Sequence, residues 1–421
     1  MNSMPSWILS KTMTIVLMIP LVSAYSFSLD LYIPLVPTIQ EEFGVSIQKM
    51  QLTNSLFMLT CGVAQLIFGP LSDHYGRRKI LFFSLILSII ANTTCFYATS
   101  FDVFLSGKIL QAVGSCGAYL SCFATIRDLY DDPDTSTEMF SYLNVANSTS
   151  AIIAPSIGTV IGVYFGWQWI FFALLLYALF SMSSSYAFFH ETTPAEKPSK
   201  KRNVLNEYRI IFSHINYQVF TLPAALGISS FFAYYSISPY LYQQTFGLSE
   251  GLYSILFGSC GLTFFFSSYF CGRLVKQKGI TNTLILGLSI HGIGCVLMIA
   301  STLLAGTYQL VLMHLSVLLV IFGSALMVSA GIGGTMSPFS HVAGSAFAMI
   351  SCYKFGLCYI LGELAVMLYD TTIVPLAIML LSINLIAASI VYIYRGSLVL
   401  KAVSQTTDMT KVMSDITDDI L

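Results

Sequence analysis

GPLSDHYGRRK, from Gly69 to Lys79, is a short charged turn set between two long apolar runs. Asp73, Arg77, Arg78 and Lys79 stand where a tight connection between two membrane helices would meet water. Gly69 and Gly76 permit close helix approach and a sharp reversal. The rest of the chain has the composition such a turn requires. Its 421 residues are 56% hydrophobic and 9% charged, with a mean hydropathy of +0.76. Soluble domains carry charge at about a quarter of positions.

Apolar runs long enough to cross ~30 Å of hydrocarbon recur along the sequence. They fall at 12–37, 52–72, 78–98, 103–127, 139–163, 168–190, 217–243, 251–274, 281–304, 309–332, 342–368 and 372–395. Backbone groups in a bilayer must bond internally, so these runs predict an all-α integral membrane protein with twelve transmembrane helices. With both termini in the cytosol, 16 of the 19 Lys and Arg fall in cytosolic segments. Only Lys49 lies in an outer loop, while Lys108 and Lys354 lie within helices. This bias fixes the expected count and orientation.

The net charge of -1 gives no sign of a nucleic-acid partner, because the basic residues mark topology. Met1 to Pro20 lacks a strongly basic start and a small-residue cleavage site, so it reads as part of a retained first helix. The nine cysteines have no C-x-x-C spacing and read as reduced packing residues, with no metal or cofactor implied. No Ser-His-Asp order or phosphate-binding glycine loop points to an enzyme.

The longest internal hydrophilic segment divides the chain six helices to six. The expected organisation is an N-terminal bundle over 1–190, a cytosolic linker over 191–216, a C-terminal bundle over 217–396 and a polar cytosolic tail over 397–421. GRLVKQKG, Gly272 to Gly279, looks like a second, eroded copy of the opening turn, with Lys276 at the position of Asp73. A generic basic turn with two glycines is the competing reading.

The pattern G-x-L-x-D-x-x-G-R-R in Gly69 to Lys79 resembles the signature loop of the major facilitator superfamily. Further matches resemble its drug/proton antiporters of the bicyclomycin and chloramphenicol resistance (Bcr/CflA) type. They are SLDLYIPLVPTI (Ser28 to Ile39), KILQAVGSCGA (Lys108 to Ala118) with IRDLY (Ile126 to Tyr130), APSIG (Ala154 to Gly158) with Gly162, FGWQWIF (Phe165 to Phe171) and SISPYLYQQTFGLSE (Ser236 to Glu250). Lys108 and Ala112 depart from the family's usual Arg and Gly. The resemblance implies two pseudo-symmetric six-helix bundles, a monomer in the bacterial inner membrane, and a proton-coupled exporter of drugs or other amphipathic small molecules. A dedicated siderophore or metabolite carrier is the alternative, and a receptor that has lost transport is a more distant one.

Ionisable residues inside a bilayer cost several kcal/mol unless paired or wet, on the order of 3 by insertion scales, so each is a functional candidate. Asp30, Lys108 and Glu363 fall at similar depth near the outer boundary and are the proton-coupling candidates. On this reading protonated Asp30 releases Lys108, and the carboxylate attracts it or a cationic substrate. A static ion pair is the bland alternative for Asp30 and Lys108, and helix capping for Glu363. The resemblance makes Gly69, Asp73, Gly76 and Arg77 a conformational latch, and Pro155, Gly158 and Gly162 the helix-five antiporter motif. Tyr25, Tyr32, Tyr235, Ser238 and Lys354 are candidate walls of a substrate cavity, with lipid-facing aromatics and a snorkelling lysine as the alternatives. His291 and His314 read as packing groups.

Overall fold

The computed structural model describes residues 11–130, 133–192, 211–213, 215–336 and 343–394. Most of the expected linker and the whole of the expected tail lie outside them. Twelve helices are long and apolar enough to cross a membrane: Lys11–Phe43, Ile47–Ser72, Arg77–Phe96, Phe101–Leu129, Tyr142–Phe165, Gln168–Phe188, Tyr217–Thr245, Glu250–Lys278, Ile280–Leu303, Gly306–Thr335, Met349–Met367 and Val374–Tyr394. They are referred to below as spans one to twelve. The first span runs farther than its apolar stretch suggested, so Asp30 sits deeper from that end than its sequence position implied.

The spans form two six-helix bundles with matching internal packing. Span one lies on span five and span four, and span three on span four; span seven lies on eleven and ten, and span nine on ten. The halves meet where span two packs on eleven and span five on eight. Asn384 Nδ2 in span twelve donates to the Leu288 carbonyl of span nine at 3.1 Å.

Local chemistry repeats with a constant register. Phe43-Gly44-Val45-Ser46 precedes span two and Phe246-Gly247-Leu248-Ser249 precedes span eight. Each serine caps its helix: Ser46 Oγ accepts from the Lys49 amide (3.1 Å) and Ser249 Oγ from the Leu252 amide (3.3 Å). At the other end of these spans, Gly76 (φ 101°, ψ 149°) and Gly279 (φ 79°, ψ 164°) make the same turn into the next helix. That region of backbone space belongs essentially to glycine. Gly44 and Gly247, Ser46 and Ser249, Gly69 and Gly272, and Gly76 and Gly279 are all 203 positions apart. The second copy of the opening turn therefore shares conformation as well as sequence with the first. For reference, the end bearing Ser46 and Ser249 is called the Ser46 face, and the opposite end the Arg77 face.

Span one is interrupted. Its first helix stops at Asp30, and a 3-10 turn over Ile33–Leu35, with Pro34 at its centre, leads into a second helix over Val36–Phe43 that carries Pro37 in its first turn. Proline withholds the donor that a continuous helix would need. Span five seats against this interruption: a Cβ on Gly158 would stand 1.6 Å from the Leu31 carbonyl oxygen, and one on Gly162 would stand 1.9 Å from Leu35 Cδ1. Near its C-terminal end span seven widens into a π-helix, Tyr240–Thr245, directly after Pro239.

Two outcomes follow. Gly158→Ala forces a methyl into backbone and should lose about 3 kcal/mol or more, seen as a lowered melting temperature or failure to accumulate. Gly69→Ala, at a helical position with nothing within 4 Å, should instead gain roughly 0.5–1 kcal/mol. At the Arg77 face, Glu191 Oε1 and Oε2 accept from the amides of Arg77 (2.8 Å) and Arg78 (3.2 Å), the first residues of span three. A carboxylate there complements the helix dipole, so Glu191→Gln should cost about 0.3–1 kcal/mol in thermal unfolding at low salt.

Candidate functional site

The interruption in span one leaves carbonyls that the helix itself does not satisfy. Side chains take the place of the missing amides. Lys108 Nζ donates to the Ser28 carbonyl at 2.7 Å, Tyr235 Oη to that of Leu29 at 2.8 Å, and Gln243 Nε2 to that of Pro34 at 2.7 Å. One of these donors belongs to span four, within the first half. The other two come from span seven, across the seam between halves.

Lys108 is completely buried, and its ammonium is fully engaged. Besides Ser28 it donates to Gln111 Oε1 at 2.7 Å, and Gln111 Nε2 donates on to Asn92 Oδ1 of span three at 2.7 Å. The Tyr32 ring lies 4.1 Å from the ammonium and the Phe57 ring 5.0 Å, so aromatic faces complete its shell.

Asp30 sits at the last residue before the interruption, 7% exposed. Among the described residues its carboxyl has no hydrogen-bond or ion-pair partner. It lies within electrostatic range of Lys108 without forming a salt bridge, and Tyr32, Tyr235 and Tyr253 surround it at similar range. The Asp30–Lys108 proximity expected from their depths is present, but the ammonium is held by Ser28 and Gln111.

The other candidates divide into groups. Tyr32 is buried in the first half, its hydroxyl 3.1 Å from Thr53 Oγ1 and donating to Asn54 Oδ1. Tyr235 and Ser238 are buried on the seam, with Ser238 Oγ 2.9 Å from Tyr253 Oη. Tyr25 and Lys354 each lie within electrostatic range of Cys358. Glu363 Oε1 is buried with no hydrogen-bond partner among the described residues. His314 bridges Tyr242 Oη (2.8 Å) and Ser259 Oγ (3.0 Å), a satisfied polar group between spans seven, eight and ten. His291 Nε2 is buried without a hydrogen-bond partner among the described residues, while its Nδ1 faces Cys295 Sγ at 3.6 Å.

At the Arg77 face, Arg77 is buried and its Nε donates to Asp128 Oδ2 at 2.8 Å, while Nη1 donates to Ser72 Oγ at 3.0 Å. This pair ties the opening turn to the end of span four, inside one half. The side chain of Asp73 lies outside the described residues, and Gly69 faces open space. Asp128 and Glu191 were not singled out in the sequence. A buried arginine demands a carboxylate, and Asp128 in IRDLY was the signal available.

Among the described residues, six side-chain hydrogen bonds join the halves near the Ser46 face. They are Tyr235 to Leu29, Gln243 to Pro34, Gln51 to Ser236 (2.7 Å), Thr38 to Glu250 (3.1 Å), Thr159 with Ser254 (2.6 Å) and Ser254 to Pro155 (3.4 Å). Beside them, Glu42 at the end of span one accepts from Trp167 Nε1 (2.6 Å) and Gln168 Nε2 (3.2 Å), which anchors the FGWQW turn.

Comparison with known proteins agrees with this architecture. The profile of the Major Facilitator Superfamily matches residues 18–363. The chain is 30% identical to a chloramphenicol resistance protein of Pseudomonas aeruginosa over 364 residues, 86% of each chain. It is 25% identical to multidrug resistance protein D of Escherichia coli over 367 residues, 85% of this chain and 89% of that one. Among solved structures, a bacterial homolog to the human lysosomal transporter Spinster, inward-facing and unoccupied, superposes with a TM-score of 0.71. It is 12% identical and covers 91% of this chain and 96% of its own, a likeness of fold. The chain is a multi-pass membrane protein and a small-molecule transporter rather than an enzyme, and it belongs to the Major Facilitator Superfamily.

Proposed function

We propose that this protein is a proton-coupled exporter of amphipathic small molecules in the bacterial inner membrane, working by alternating access with both termini cytosolic. On this reading the Arg77 face is the cytosolic one, as the distribution of Lys and Arg requires. The domain division at the hydrophilic segment after span six fits two halves that move against each other. The hydrogen bonds clustered at the Ser46 face then close the outer side. The relatives named for chloramphenicol and multidrug resistance support drug-like cargo.

The carrying observation is Asp30. An acid with no partner among the described residues, at the end of a broken helix and on the seam between the halves, is placed to gain and lose a proton as the seam opens. Opening must release Tyr235 from Leu29 and Gln243 from Pro34, which admits water to the interruption. Lys108, bound within the first half, stays behind as a fixed positive charge. One proton moving inward through 100 mV supplies ~2.3 kcal/mol before any pH gradient contributes.

In proteoliposomes loaded with a drug, Asp30→Asn should abolish uptake driven by a pH gradient while drug–drug exchange continues. Gradient-driven uptake at the wild-type rate in that variant would remove the assignment. Lys108→Met strands two buried acceptors, at roughly 1–3 kcal/mol each. Its melting temperature should fall by several degrees, and Lys108→Arg should recover part of the loss.

A further inference from the structure

Lys354 is the described basic side chain within the spans that nothing compensates. Arg77 at the start of span three is paired with Asp128, and Lys108 spends its donors on Ser28 and Gln111. The Lys354 ammonium has no hydrogen-bond or ion-pair partner among the described residues, the Ser229 hydroxyl donating only to the Lys354 backbone carbonyl. Among the described residues no acid acts on it, and the Cys358 thiol is its one electrostatic neighbour. Glu363 is on the same helix, but nine residues at about 100° each place it on the opposite side. An isolated ammonium at this depth is tolerated only where water or an anion reaches it.

The surroundings of Lys354 are such a place. The residue is enclosed by protein yet keeps accessible surface. The Phe355 ring lies 5.9 Å from its Nζ. Cys358, one turn on, brings Tyr25 of span one into the same neighbourhood across the seam. From Tyr25 a half-buried aromatic series runs through Tyr119 (5.6 Å between centroids) to Phe123 (4.7 Å). Aromatic area with one cation suits a ligand that is flat and apolar and carries one negative group. Asp30 offers no rival cation site there, since it is buried beside Tyr235 under the closed seam.

We infer that Lys354 and these aromatic rings form a site that selects amphipathic anions, aromatic carboxylates or phenolates, and that Lys354 is the residue that recognises their charge. The inference rests on the exporter reading above and names its cargo class. It changes the charge carried per cycle. With one proton entering, a departing anion adds a second charge moved down the potential, a neutral cargo adds none, and a departing cation cancels the proton.

The test uses the purified full-length protein and three matched probes: 1-pyrenebutyrate, its neutral amide and the cationic 1-pyrenebutylamine. Wild type should bind the carboxylate at least tenfold more tightly than the amide. Lys354→Gln should erase that preference by weakening carboxylate binding at least tenfold more than amide binding, and Lys354→Arg should retain it. In proteoliposomes the accumulation ratio of the carboxylate should change about a hundredfold per ~60 mV of imposed potential, against about tenfold for the amide. Equal binding of carboxylate and amide, preference for the amine, binding of none of the three, or a preference that survives Lys354→Gln would each overturn the inference. Asp30→Asn separates it from the coupling assignment: the charge preference should persist there. Proton-driven transport in Asp30→Asn would defeat the coupling and leave the cargo class standing.

Discussion

A helix interrupted inside a bilayer has carbonyls that water cannot reach, and everything around span one answers that constraint. Lys108, Tyr235 and Gln243 each donate to one of the oxygens near the break. Gly158 and Gly162 lack side chains because span five lies directly on the interrupted backbone. Pro34 and Pro37 maintain the interruption by withholding amides. Asp30 owes its position to all of them. It ends the first helical segment, where the direction of the chain and the identity of its neighbours change together.

Because two of the three donors belong to the opposite half, the interruption is held jointly. The first half alone satisfies Ser28 through Lys108. Leu29 and Pro34 depend on span seven, so separating the halves exposes those carbonyls and the acid beside them in one event. On the proton-coupled reading proposed above, proton access and gate opening share the same bonds, with no separate transmission element between them.

Much of this was legible in the sequence, and for a plain reason. Hydrocarbon thickness sets the length of each apolar run, so the twelve spans and the twofold division follow from counting. Depth also placed Asp30 near Lys108. What sequence could not supply was the partner of each polar group. Lys108 reads as a counter-ion until the carbonyl of Ser28 and the amide of Gln111 are seen taking its donors. Gln243 carries no mark that it reaches Pro34, because the contact depends on a π-helical turn that apolar periodicity does not encode. Arg77 reads as part of a loop, yet it is buried against Asp128 from a helix some fifty positions away. The FGVS and FGLS pair, by contrast, lay in plain view. Its meaning emerged only when both serines were seen capping helices and both glycine turns adopted one backbone geometry.

The constant spacing of these markers has a mechanical consequence. Between the glycine that enters and the glycine that leaves, spans two and eight hold the same number of residues, and each is one helix of 29 residues, about 44 Å long at 1.5 Å per residue. These two spans lie at the two contact lines between the halves, on opposite sides of the pseudo-twofold axis. In the alternating access proposed above they would serve as matched struts of equal height, letting one half rock against the other without rising or sinking at either line. A single-residue insertion in one strut would turn the following glycine by about 100° and lift its end by about 1.5 Å, leaving the two hinge lines unequal.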